Sequence, residues 1–103
     1  MVKKVGNLDS LEVESFNIES IAPTQTKIFI FLKNISSEDV SNLNLAIYLV
    51  DKNENHLAKF KAYISTIVPN ETNKITINTE KNLSLVTDLL VCKYEQVLFG
   101  YYF

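Results

Sequence analysis

Apolar and polar residues alternate along most of this chain with a period of two. Leu43, Leu45, Ile47 and Leu49 are separated by Asn44, Ala46 and Tyr48, with Val50 after them, so the leucines and the isoleucine share one face of a strand. Ala58, Phe60, Ala62 and Ile64 form a second such face, with Lys59, Lys61 and Tyr63 opposite. Ile75 and Ile77 alternate with Lys74, Thr76 and Asn78. Leu11, Val13, Phe16 and Ile18 alternate with Glu12, Glu14, Asn17 and Glu19, and the phase slips by one at Glu14 and Ser15. A one-residue slip inside an alternating run predicts a β-bulge, and the three glutamates suit an edge strand that must not pair at random. Residues 28 to 32 (IFIFL) do not alternate. They are too few for a helix and rich in strand formers. An unbroken apolar run implies that both faces are covered, or that one is covered and the other meets a partner. Residues 27 to 51 together read as the central hairpin, two apolar strands joined by the polar link Ser36, Ser37, Glu38 and Asp39.

Turns are expected at Ala22-Pro23-Thr24-Gln25, at residues 51 to 56 (DKNENH), at residues 68 to 72 and at residues 79 to 82. Residues 83 to 92 fit two structures: Leu83, Val86 and Leu90 share a helical face, whereas Leu89-Leu90-Val91 suits a buried strand. Residues 94 to 103 are rich in aromatic residues and read as the closing strand, with Gly100 at a bulge. Residues 1 to 10 read as a mobile polar lead. About seven short strands, each about ten residues after the last, predict an all-β fold, an immunoglobulin-like two-sheet antiparallel β-sandwich. Residues 1 to 103 make one such domain.

Composition narrows the function classes. The chain has 103 residues, 47% of them apolar, and a net charge of −2. That is enough apolar material for one core without disulfides or metal. Every cation is lysine, which argues against nucleic-acid binding, where a basic surface and arginine readout are the rule. Cys92 is the single cysteine, so no intrachain disulfide forms, and its apolar neighbours suggest a buried structural thiol. No segment is long and apolar enough to insert in a membrane. Polar residues follow Lys3 and Lys4 where a signal segment would be apolar. The compartment is therefore cytoplasmic if the chain is complete and extracytoplasmic if it is excised from a longer one.

Catalysis finds no support. With two glycines in the chain, no phosphate-cradling loop can be built, and no serine sits in a nucleophile elbow. His56 is the only histidine and lies in a turn. Paired carboxylates such as Glu12 with Glu14, or Glu38 with Asp39, sit in polar surroundings that would not tune a pKa. Asp51, Asn53 and Asn55 begin like a calcium loop, but His56 stands where glycine is needed and Ala62 where the bidentate glutamate belongs. No catalytic residue, metal ligand or cofactor site is expected. Asn34-Ile35-Ser36, Asn70-Glu71-Thr72 and Asn82-Leu83-Ser84 match the glycosylation pattern and read as chance matches in an asparagine-rich chain.

Phe31-Leu32-Lys33-Asn34, Ser36-Ser37, residues 45 to 51 (LAIYLVD), Leu57-Ala58 and Ile67-Val68-Pro69 resemble bacterial immunoglobulin-like envelope modules. The two that fit are SLAP (S-layer-associated) domains and FxLYD-type domains of envelope proteins, over roughly residues 27 to 78. Tyr48 and Asp51 are not adjacent as the FxLYD name requires, and no tryptophan follows Pro69. The resemblance implies an interaction module and maps no catalytic residue.

The expected function is therefore a non-catalytic binding module, bacterial and envelope-associated, whose partner is another protein or an envelope component. Tyr94, Phe99, Tyr101, Tyr102 and Phe103 are the candidate partner-binding residues, because aromatics dominate binding hot spots; the competing reading makes them core. Strand addition would use residues 27 to 32 or 94 to 103. The alternative is a structural subunit of a homo-oligomeric assembly. A third reading, a small-ligand or sugar site, would use Tyr48 or Tyr63 on an outer face.

Overall fold

The computed structural model describes residues 3–6, 8–22, 24–81 and 83–94. Among them, seven strands form two antiparallel sheets: β1 (Lys3–Val5), β2 (Leu8–Ala22), β3 (Gln25–Asn34), β4 (Val40–Val50), β5 (His56–Ile67), β6 (Thr72–Thr79) and β7 (Asp88–Lys93). One sheet has the order β1-β2-β3-β6 and the other β5-β4-β7. The expected all-β two-sheet sandwich is what forms, with one hydrophobic core between the sheets.

The alternation decides which side chains fill that core. Ile28, Ile30 and Leu32 from β3 are fully buried, as are Leu45, Ile47 and Leu49 from β4 and Leu89 from β7. The register agrees across the sheet: Ile47 lies between Phe60 and Val91, and Leu49 between Ala58 and Leu89. The slip at Glu14 is a bulge, since β2 shifts register between Val13 and Ser15. Residues 51 to 55 close the β4–β5 turn. Asp51 Oδ1 accepts the amides of Asn53 (2.8 Å) and Asn55 (3.0 Å), and Glu54 takes a left-handed φ of 63°.

Two expectations are corrected, and one choice left open is decided. Residues 27 to 51 are not a hairpin. β3 is central in one sheet and β4 in the other, so their apolar faces pack across the core instead of sharing hydrogen bonds. The continuous run of residues 28 to 32 is an inner row of Ile28, Ile30 and Leu32, with Phe29 and Phe31 half-buried on the outer side. The lead is not without regular structure: Lys3–Val5 form a strand. β1 pairs with β2, and Val5 is only 2% exposed because it fills the core. Of the two structures open to residues 83 to 92, the strand is the one formed, from Asp88; residues 83 to 87 make a turn in which the Val86 amide donates to the Leu83 carbonyl (3.1 Å). The proposed closing strand lies outside the described residues except at Tyr94.

The two sides of the sandwich differ. On one side Gly6 joins the sheets: its amide donates to the Val91 carbonyl (2.7 Å) and its carbonyl accepts the Lys93 amide (2.8 Å). On the other side β5 and β6 are the edge strands, and neither has a further strand partner among the described residues.

Candidate binding surface

The outward positions of β4, β5 and β7 bring together side chains that are far apart in sequence. Tyr48 sits opposite Lys59 on one side and Leu90 on the other. Ala46 sits opposite Lys61 and Cys92, and Asn44 opposite Tyr63. Tyr94 follows β7 and is held onto β4, its amide donating to the Asn44 carbonyl (2.7 Å). Period two alone puts Lys59, Lys61 and Tyr63 on this face, and the β4 register supplies the rest.

The contacts on the face are aromatic and cationic. The Lys59 ammonium lies 5.5 Å from the Tyr48 ring centre and 6.0 Å from that of Tyr94. The Lys61 ammonium lies 4.9 Å from the Tyr94 ring and donates to its hydroxyl at 3.4 Å. The His56 and Tyr48 rings are 4.8 Å apart and tilted by 38°. The Tyr63 hydroxyl donates to Asn42 Oδ1 (2.8 Å), and Asn42 has a left-handed φ of 53°. Such exposed cation–ring contacts are each worth about 0.5–1 kcal/mol. Tyr63 remains 59% exposed and Leu90 41%. Tyr63, Tyr94, Lys61 and Asn44 also line an open hollow of about 280 Å³.

Charge separates this face from the opposite one. On the four-stranded sheet Glu12 lies directly across from Lys33, and Glu19 from Lys27. On the three-stranded sheet neither Lys59 nor Lys61 has a carboxylate across from it on β4: their partner positions are Tyr48 and Ala46. Asp88, opposite Val50, is the carboxylate on the outward positions of these strands.

Of the predicted partner-binding residues, Tyr94 is half-buried on this face; Phe99, Tyr101, Tyr102 and Phe103 lie outside the described residues. Tyr48 and Tyr63 point outward as expected, and Tyr63 borders a concave surface. Lys59, Lys61 and Leu90 were not singled out by the sequence as site residues, because their shared surroundings depend on pairing. Strand addition at residues 27 to 32 is blocked: β3 has β2 on one edge and β6 on the other.

Other candidates carry less chemistry. Both Asp51 oxygens are used inside the turn, Oδ2 by the Asn55 side-chain amide (3.1 Å). These Asn55 bonds, with the Asn53 amide, hold the Asp51 carboxyl below the usual carboxylate range. No group of three His, Cys, Asp or Glu side chains that could hold a metal ion occurs among the described residues. Cys92 is half-buried beside Gly6, not enclosed in the core. A hollow of about 480 Å³ at Ile21, Gln25, Thr26 and Asn78 lies at a sheet end, where the Thr26 hydroxyl is already donated to the Lys81 carbonyl (3.2 Å). Compared with protein-family models, curated proteins and solved structures, the chain matches none of them.

Proposed function

We propose that this chain is a non-catalytic, immunoglobulin-like binding module that holds an acidic partner protein against the outer face of its three-stranded sheet. The observation that carries the reading is the pair Lys59 and Lys61. They stand among Tyr48, Tyr63 and Tyr94 without a carboxylate, in a chain whose net charge is −2. Aromatic side chains beside unpaired cations favour an acidic surface with apolar groups of its own. The immunoglobulin-like part is supported by strand order. β2, β3 and β6 share a sheet while β4 and β7 share the other, and the chain crosses between sheets after β3, β5 and β6, as Greek-key sandwiches do. The envelope setting draws its support from the resemblance over residues 27 to 78.

The test is capture from separate envelope and cytosol extracts by the wild-type chain and by a Tyr63→Ser, Leu90→Ser double variant. Both positions are exposed, so the variant still folds, with a thermal midpoint lowered only by loss of strand propensity and of the Tyr63–Asn42 bond. One acidic protein retained by the wild type and reduced at least about tenfold by the variant is the expected outcome, as for loss of hot-spot side chains. Equal capture by both chains contradicts the assignment. Recovery of nothing but further copies of the chain replaces it with a self-assembling subunit.

A further inference from the structure

The side of the sandwich away from Gly6 is open, and three observations there point the same way. First, β5 and β6 are both edge strands, and each offers a row of backbone groups with no strand partner among the described residues. β5 is the longer, at 12 residues. Second, in the middle of this seam the core-facing side chains are incompletely covered, although Ala58, Ile64 and Ile67 toward the ends of β5 are buried. Phe60 and Ala62 of β5 and Ile75 and Ile77 of β6 are half-buried, whereas their neighbours on the central strands are fully buried. Third, the charge on the outward side of β5 is of one sign: it carries Lys59 and Lys61 and contains no aspartate or glutamate, although acids outnumber lysines in the chain as a whole.

An extended segment lying along β5 would meet all three features at once. Its backbone would complete the open ladder at the usual strand spacing of about 4.8 Å. Every second side chain would turn inward to cover Phe60, Ala62, Ile75 and Ile77. The intervening side chains would stand on the outer face, directly across from Lys59 and Lys61, where opposite charges attract and like charges repel. We propose that this open side accepts a β-strand from a partner protein, with apolar residues at alternate positions and acidic residues between them. The inference rests on the binding reading above and names the edge and the pattern of the partner. Lysines along an edge also serve simply to prevent strand pairing, and the experiment separates the two roles.

The probe is a short fluorescent peptide alternating valine and glutamate, with a valine–lysine peptide as control, each titrated into the full chain and read by anisotropy and amide hydrogen exchange. The expected result is binding of the glutamate peptide only, with slowed exchange confined to β5 and β6. Binding should fall at least about fivefold in a Lys59→Glu, Lys61→Glu variant of unchanged thermal midpoint, as expected for the loss of two rim charge pairs and their reversal. No binding of the glutamate peptide, equal binding of the lysine peptide, or slowed exchange elsewhere overturns the proposal. If the peptide fails while Tyr63→Ser, Leu90→Ser still loses its captured protein, the strand-accepting edge falls and the binding face stands. If both tests fail, both readings fall.

Discussion

Asn34 is buried with no exposed surface, and every hydrogen-bonding position of its side chain is used. Nδ2 donates to the Ile67 and Glu38 carbonyls, each at 2.8 Å, and Oδ1 accepts the Ser36 amide (2.9 Å) and hydroxyl (2.7 Å). Its backbone carbonyl accepts the Asn70 amide (2.9 Å) and its amide donates to the Glu71 carbonyl (3.0 Å). One side chain thus ties the end of β3 to the link crossing between sheets and to the end of β5. Asn34→Ala would strand the Ile67 carbonyl away from water and free the link. The expected loss is about 2–4 kcal/mol, read as a lower urea midpoint at unchanged slope. Nothing in the sequence marks this residue beyond its place at a strand exit, because its one distant side-chain partner, the Ile67 carbonyl, is 33 positions away. Its glycosylation pattern is likewise uninformative, since an amide so enclosed offers no acceptor in the folded chain.

Strands themselves were legible, and their partners were not. Period two placed Leu43, Leu45, Ile47 and Leu49 inward, and the slip at Glu14 marked the bulge in β2. Alternation fixes which face of a strand is buried but does not say whether the next strand hydrogen-bonds to it or packs across from it. The polar link after Asn34 suits either arrangement, which is why the crossing from β3 to β4 was not read. The contribution of β1 was hidden for another reason: three residues are too few to show a period, and their position depends on Gly6. A Cβ at Gly6 would stand 3.0 Å from Cys92 Sγ. Gly6→Ala should therefore lower stability by about 1–2 kcal/mol, as overpacking does. Shortening the neighbour in Gly6→Ala, Cys92→Ala should return most of that loss, a non-additivity that a double-mutant cycle in urea would measure.

At the scale of the whole molecule, the two outer faces are unlike. The four-stranded sheet balances its charges across strands, Glu12 with Lys33 and Glu19 with Lys27, around the half-buried Phe29 and Phe31. The Lys74 ammonium covers the Phe29 ring at 5.3 Å. The three-stranded sheet leaves Lys59 and Lys61 uncompensated beside exposed tyrosine. A molecule of small net negative charge with one such face should approach an acidic partner in a preferred orientation, and its association should slow as salt is added. The central claim is that this face, and not the opposite one, does the binding. The most direct measurement is a backbone amide shift map of the isotopically labelled chain titrated with the protein it captures. Shifts should be concentrated in β4, β5 and β7, strongest around Tyr48, Lys61, Tyr63 and Leu90. Shifts centred instead on Phe29, Phe31 and Lys33 of β3 in the four-stranded sheet would contradict the claim.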